Sequence, residues 1–392
     1  MKQLKYFVPM FALVALASCQ QDEQDSVSVA ENATELNLQS FSYDEIKALA
    51  EGNEASHSIR LIDGDVVKEI SYLKKNDEME VIDDEYTPTF YKSANEDSIC
   101  VIVSKEYASI KFNYKGEELG YVACTNQEMI ANYMAACNEV STRSGEGSTA
   151  VTRSSTNPES FKINMTKLAK DANKSFNCTV ETIEDEENAM QSSEPSPSTR
   201  TAYYTQWPRG NTLTIHLVRD QGNSPIEWEL DWQVNNLSNS LRNIRYDLNV
   251  KVWRSNTGYR SSSSNSVQSL SDFRSYCNSS SFPWREATNH DIICLVRYST
   301  YSDALGRAYY NGYKLSRYDN NWAYAVVGTS SLYTTKSLAH EVGHILGANH
   351  VSGRPWWQFW LSDDVMVSSA SWRMGVYHQD AHNYNTIWNN LY

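Results

Sequence analysis

The chain has 392 residues, of which 41% are hydrophobic and 21% are charged, and its formal net charge is −14. This hydrophobic content is that of a globular protein with room for two to three domains, and it excludes a disordered polymer. The net acidity also disfavours a nucleic-acid partner, because phosphate groups are bound by basic surfaces.

The first residues have the pattern of an export signal. Lys2 and Lys5 precede the apolar run "YFVPMFALVALA", and the small residues of "LASC" lead to Cys19. This tetrapeptide resembles the lipobox of bacterial lipoproteins, which implies removal of a signal peptide, residues 1–18, and lipid attachment to Cys19. An ordinary secretory signal, in which Cys19 has no role, is the alternative. In both cases we expect an exported chain, and with the lipid it is an outer-membrane or cell-surface precursor.

Composition divides the rest of the chain into two parts. Residues 19–34 contain the acidic stretch "QQDEQDS", which is typical of a flexible tether. Residues 201–392 carry 16 basic and 14 acidic side chains, which leaves 18 basic and 34 acidic side chains for residues 1–200. All 11 tryptophans lie beyond residue 200. The Ser/Pro-rich stretch "QSSEPSPSTRTAYY" joins the two parts, and exposed tracts of this kind are preferred sites of proteolysis. The sequence therefore predicts one domain with its linker over 35–200 and another over 201–392.

The first domain is predicted to be strand-rich and mixed. Alternating runs such as "SICVIVS", "SIKFNYKG" and "LGYVACT" indicate strands, whereas "SYDEIKALA" and "NQEMIANYMAACN" have helical periodicity. No catalytic constellation is apparent in this part of the sequence.

In the second domain strands and helices alternate, which predicts a mixed sheet covered by helices. The predicted strands are "TLTIHLV", "LNVKVWR", "DIICLVRY", "GRAYY" and "WAYAVVG"; the predicted helices are "IEWELDWQVNNLSNSLRNI", "SVQSLSDFRSYC", the segment "AHEVGHILGANH" and a last one near residues 378–391. Cys277 and Cys294 either pair in an oxidising compartment or remain free, and their spacing favours neither outcome.

The segment "AHEVGHILGANH", residues 339–350, has the spacing of a catalytic metal site. On a helix, His340 and His344 project from one face and present two imidazole nitrogens to a single ion. Gly347 can take a positive φ, so the chain can leave the helix and bring His350 to the same ion. Three histidines satisfy one Zn²⁺ and leave a fourth position open, while Glu341 is free to act as a general base.

The pattern HExxHxxGxxH resembles that of the metzincins, which are zinc endopeptidases with a methionine turn beneath the metal. The resemblance implies such a turn after His350, and Met366 in "DDVMVSS" is its predicted residue, with Met374 as the alternative. Many metzincins have a tyrosine two residues past this methionine, whereas this chain has Ser368. The chain therefore departs from that pattern, and Tyr377 is the candidate for a catalytic tyrosine.

The organisation of the chain and its active-site segment are similar to those of the fragilysin-type metzincins. This resemblance implies an α/β (α+β) catalytic domain with a twisted mixed sheet and an active-site helix, preceded by the strand-rich prodomain. It also implies a zymogen, which an arginine-specific protease activates by cutting after Arg200 so that the enzyme begins at Thr201. A cut at Arg153 is the alternative.

A zymogen must occupy the open position on the metal before activation. Fragilysin-type zymogens use an aspartate upstream of the cleavage site, and by this resemblance Asp185 in "ETIEDEE" is the predicted inhibitory ligand. The thiolate of Cys178 in "FNCTVE" is the alternative, and a solvated acidic connector without any role is a third possibility.

The predicted function is hydrolysis of protein or peptide substrates, host proteins among them, by a monomeric zinc endopeptidase. The strand "GRAYY", residues 306–310, is the predicted sheet edge to which an extended substrate adds, with an internal strand as the alternative. A function of another class also fits the sequence, namely a surface adhesin or glycan-binding lipoprotein without proteolytic activity. The aromatic run "PWWQFW", residues 355–360, either supports such binding or lines a substrate pocket.

Overall fold

The structure is a computed structural model. It describes residues 33–52, 58–83, 85–93, 99–144, 150–167, 210–279, 291–310, 323–330, 335–351, 363–367, 375–376 and 381–391. None of the helices in these ranges is both long enough and apolar enough to cross a membrane.

The N-terminal domain, described over residues 33–167, is built mainly from two sheets. The first has the order β1 (Thr34–Asn37), β2 (Ile59–Asp63), β3 (Val66–Ile70). The second is antiparallel and has the order β10 (Val151–Arg153), β11 (Ser160–Asn164), β9 (Glu117–Cys124), β8 (Tyr107–Tyr114), β7 (Cys100–Val103), β6 (Thr89–Ser93), β4 (Leu73–Lys75). Helices α1 (Tyr43–Glu51) and α2 (Gln127–Ser144) complete the described part. The predicted strand-rich mixed domain is thus confirmed.

The second domain is centred on a six-stranded mixed sheet. Its order is β15 (Gly306–Ala308), β16 (Tyr324–Gly328), β14 (Asp291–Arg297), β12 (Thr212–Arg219), β13 (Asn249–Ser255), β5 (Met79–Ile82). Only β15 runs antiparallel to its neighbour. The central strand β14 has an unbroken buried run because both faces of a parallel sheet are covered. The helices are α3 (Glu227–Ile244), α4 (Ser266–Cys277), α5 (Ser337–Ile345) and α6 (Ala381–Leu391), and β17 (Asp363–Asp364) pairs with β18 (Gly375–Val376). The predicted fold class, α/β (α+β) with a mixed sheet, is confirmed.

The order of this sheet contains one feature that the sequence did not predict. Its outermost strand β5 belongs to the N-terminal domain and pairs in parallel with β13, in the register Met79↔Val250 to Ile82↔Trp253. The edge of the second domain's sheet is therefore completed by the first domain.

Helix α3 lies between the two large sheets, which explains why almost its whole surface is buried. Trp228 packs against three aromatic rings of the N-terminal domain, with centroid distances of 5.9 Å to Tyr107, 5.3 Å to Tyr133 and 5.6 Å to Phe161. Residues of both domains consequently share one hydrophobic core.

Buried charges join the domains at the end of β5. Arg219 binds both carboxylate oxygens of Glu227, at 3.0 and 2.9 Å, and also contacts Asp83 of the N-terminal domain. Arg254 contacts Asp231, whose pKa is raised to about 6, chiefly by burial. Buried charges are tolerated only when paired, so these contacts tie the position of the N-terminal domain to that of α3.

The structure also answers the question about the two cysteines of the second domain. Cys277 and Cys294 are both buried and both free thiols, so no disulfide bond joins them. Burial raises the pKa of each thiol, which keeps both in the unreactive protonated form.

Candidate metal centre

The local conformation of the histidine segment follows from its sequence. Helix α5 ends at Ile345, and Gly347 has φ 86°, a conformation that favours glycine. The chain therefore turns away from the helix axis directly after His344, and His350 comes to lie beside the two histidines of the helix.

Three imidazole nitrogens converge at this point. The Nε2 atoms of His340 and His344 are 3.1 Å apart, those of His340 and His350 are 3.3 Å apart, and those of His344 and His350 are 3.0 Å apart. The centre of such a triangle lies about 1.8 Å from each nitrogen, slightly inside the ~2.0–2.1 Å of a zinc–imidazole bond. The spacing of the three nitrogens thus suits a single zinc ion, which His340, His344 and His350 would hold together.

The protonation of the rings supports the same assignment. The Nδ1–H of His340 donates to the carbonyl of Val365 at 2.7 Å, and the Nδ1–H of His344 donates to the carbonyl of Ala348 at 2.8 Å. Because carbonyl oxygens only accept, these bonds leave the Nε2 of each neutral ring with a lone pair and no proton. Lone pairs that face each other at 3.1 Å repel, and a cation between them removes the repulsion.

Burial keeps these rings neutral. It lowers the pKa of His340 well below its ordinary value and that of His344 to about 3, and neighbouring imidazoles lower both further. The pKa of His350 is also lowered by burial. Since only a neutral imidazole binds a metal ion, the ligand set is ready at neutral pH.

Glu341 lies beside the edge strand of the sheet. The residue is only 1% exposed, and a Cβ atom placed on Gly306 of β15 would lie 2.7 Å from its Oε1 and 2.8 Å from its Cγ. The absence of a side chain at Gly306 therefore makes room for the carboxylate. Among the described strands, β15 is the outermost one of its sheet, in agreement with the edge predicted for "GRAYY".

Met366 lies in a tight turn that contacts His340 through the neighbouring residue Val365. The turn spans residues 364–367, its Met366 N–H donates to Asp364 Oδ1 at 2.8 Å, and Met366 is fully buried. The residue before it, Val365, holds the ring of His340. This position agrees with that expected of a methionine turn, although the assignment of the role stays a prediction.

Several predicted residues lie outside the described part of the chain. They are the signal peptide and Cys19, Cys178, Asp185, Arg200 and Thr201, Ser368, Met374, Tyr377, and the aromatic run 355–360. The structure therefore says nothing about lipidation, the inhibitory ligand or the activation site.

Sequence reasoning overlooked three contributors to the site, namely Gly306, Val365 and Asn383. Val365 acts through its carbonyl oxygen, which no residue pattern reveals. The side chain of Asn383 on α6 forms two hydrogen bonds with the backbone of Asn349, the residue before His350. Gly306 is the first residue of the predicted edge strand, and this position was the one feature of the sequence that could have indicated its role in the site.

Comparison with known proteins agrees with this geometry. Residues 35–174 match the family model for the N-terminal domain of fragilysin, and residues 218–354 match the model for metallo-peptidase family M12. In both matched parts the chain resembles the fragilysin-type metzincins. This fragilysin-like chain is accordingly a metalloprotease with a zymogen-type N-terminal domain, and peptidases of family M12 use zinc.

A solved structure shows the same fold. The crystal structure of metalloproteinase-II from Bacteroides fragilis matches with a TM-score of 0.70 and 20% identity, covering 92% of this chain and 99% of that one. A chaperone–substrate complex matches with a TM-score of only 0.32 and 15% identity, covering 46% of this chain and 34% of that one, and it supports no conclusion about the fold.

Proposed function

We propose that this fragilysin-like chain is the exported zymogen of a zinc-dependent endopeptidase that cleaves peptide bonds in proteins. The observation that carries the proposal is the convergence of the three Nε2 atoms, with pairwise distances of 3.0–3.3 Å, in a segment whose Glu341, the residue after His340, is buried. A single zinc ion held by His340, His344 and His350 would supply a Lewis acid that polarises the scissile carbonyl and acidifies water.

The chain's own residues supply the remaining chemistry. An extended peptide adds to β15, the outermost described strand of the sheet, which places its backbone next to Glu341, since Gly306 of that strand lies against the carboxylate. Glu341 accepts a proton from the attacking water and delivers it to the amine that leaves. No side-chain nucleophile is required, and the substrates are proteins or peptides.

Maturation is the second part of the proposal. We infer that an arginine-specific protease cuts after Arg200 and that the active enzyme begins at Thr201, with Asp185 acting as the inhibitory ligand until then. The alternative cleavage site, Arg153, lies in β10 and is paired with Phe161 of β11. Cleavage there requires the strand to be released from the sheet first, which favours Arg200.

The place of the precursor in the cell follows from its first residues. The apolar segment before Cys19 supports export and lipid attachment, and we infer that the lipid on Cys19 anchors the precursor to the membrane. Release of residues 201–392 would then deliver the enzyme, as a monomer, to the extracellular space.

The decisive experiment separates metal binding from proteolysis. In Glu341→Gln, the activated enzyme should keep one zinc ion per chain but lose peptide cleavage by several orders of magnitude, because the general base is removed and every ligand is kept. In His350→Ala, zinc content and cleavage should fall together. Cleavage by Glu341→Gln within tenfold of wild type, or a zinc-free wild-type chain, would refute the proposal.

Maturation has its own test. Arg200→Ala should leave the precursor uncut and inactive after protease treatment, whereas the control Arg153→Ala should mature normally. An active fragment that begins at Thr201 in Arg200→Ala would reject the site. Asp185→Ala should give a precursor that already cleaves peptides, and Cys178→Ala should stay latent; the opposite pattern would assign the switch to Cys178.

A further inference from the structure

The third histidine depends on its backbone for its position. His340 and His344 lie on α5, and hydrogen bonds to carbonyl oxygens fix both of their rings. His350 lies beyond the end of the helix, and within the described ranges its Nδ1 has no such bond. The conformation of residues 346–350 must therefore place the Nε2 of His350 near the other two.

Helix α6 holds this segment through the side chain of Asn383. The backbone N–H of Asn349 donates to Asn383 Oδ1 at 2.8 Å, and Asn383 Nδ2 donates to the carbonyl oxygen of Asn349 at 2.6 Å. The primary amide thus pairs with both polar groups of residue 349, as a neighbouring strand would. Asn383 is only 2% exposed, so water competes little for these bonds.

The carbonyl that Asn383 binds belongs to the peptide unit that joins residue 349 to His350. Fixing this peptide plane sets the positions of the N and Cα atoms of His350, from which its side chain extends. Two further side chains hold the start of the segment. Asn390 Nδ2 donates a hydrogen bond to the carbonyl oxygen of Leu346 at 2.6 Å, and the Tyr310 hydroxyl donates one to the carbonyl oxygen of Gly347 at 3.0 Å. Asn383 acts on the peptide unit before the ligand, while the N–H of Val351, directly after it, donates to the carbonyl oxygen of Met366 at 3.0 Å.

We propose that Asn383 is the positioning residue for His350, so that the C-terminal helix sets the affinity of the site for its metal. The inference rests on the proposed zinc site, and it assigns to α6 a role that packing alone does not require. Outer groups that orient metal ligands typically affect affinity by about 10–100-fold. We therefore expect loss of the amide to accelerate zinc release rather than to unfold the domain.

The test compares asparagines on the same helix. In the full chain, Asn383→Ala and the isosteric Asn383→Asp, which loses the donor, should release zinc to a chelator about 10–100-fold faster than wild type. Asn385→Ala and Asn389→Ala, at exposed positions of α6, should release it at the wild-type rate. The absorption spectrum of the Co²⁺-substituted chain should change in the Asn383 variants and in neither control.

A double-mutant cycle separates positioning from a general structural effect. In a His350→Ala background, Asn383→Ala should leave the rate of zinc release unchanged, because the ring that it positions is gone. Acceleration by the same factor in both backgrounds would overturn the inference, as would release within twofold of wild type in both Asn383 variants. If Asn383→Ala does not fold, Asn383→Asp provides the same comparison. A wild-type chain that binds no zinc would refute the proposed function as well, which distinguishes the two failures.

Discussion

Gly306→Ala is the most direct test of how the sheet edge and the general base fit together. The added methyl would lie 2.7 Å from Oε1 of Glu341, 2.8 Å from its Cγ and 2.8 Å from the carbonyl oxygen of Val326. Ordinary contacts begin near ~3.4 Å, so the carboxylate or the strand must move by about 0.6 Å or more. Because the Val326 oxygen belongs to the backbone of β16, we expect Glu341 to yield.

The expected loss is catalytic more than structural. Misplacement by about 1 Å can cost roughly 10²-fold in rate, so kcat for peptide cleavage should fall by about 10–100-fold while KM changes little. Overpacking should also lower the free energy of unfolding by about 1–3 kcal/mol.

Steady-state kinetics of the activated enzyme at matched zinc content measures both constants. Gly222→Ala is the matched control, because its new methyl would meet only the Asp220 side chain, at 3.3 Å, with the next atom 4.0 Å away. A kcat of Gly306→Ala within twofold of wild type would show that the reasoning about this contact is wrong.

Two further predictions concern stability. Because the pKa values of His340 and His344 are lowered, the latter to about 3, the unfolded zinc-free chain takes up protons below pH ~6.5 that the folded chain does not. The contribution of the two rings to the free energy of unfolding is therefore complete above that pH and is lost on acidification toward pH 3, by up to about 1.4 kcal/mol per pH unit for each ring. Urea unfolding at pH 7 and pH 5 should show this loss, and the loss should be smaller in His344→Gln. Equal losses in the two proteins would contradict the prediction. Gly120→Ala would put a methyl 2.6 Å from Cη2 of Trp232, where the N-terminal domain contacts α3. The free energy of unfolding should fall by about 1–3 kcal/mol. Thermal unfolding followed by tryptophan emission should show a lower melting temperature and altered emission. An unchanged melting temperature and emission would argue against that contact.

Local patterns were sufficient to predict most elements of the second domain. Strand β14 has the continuous apolar run of a buried strand, and α5 carries its histidines at helical spacing, so neighbours along the chain specify both. The approach of His350 also followed from local chemistry, because Gly347 permits the positive φ that ends the helix. The edge position of β15 was one of two open alternatives, and among the described strands β15 is the outermost one of its sheet.

The sequence by itself determined the three histidines, Glu341 and the alternation of strands and helices, because these depend on residue type and on spacing along one segment. Only the tertiary structure decided which strand completes the sheet. Strand β5 is four residues long, so its pattern fits many partners, and the partner that it finds, β13, lies about 170 residues away in the sequence. The same holds for the buried carboxylates of Glu227 and Asp231, which look like surface residues until Arg219 and Arg254 are brought against them. It holds too for Gly306 and Asn383, because their roles consist of contacts with Glu341 and Asn349, and a contact between distant segments exists only once the chain has folded.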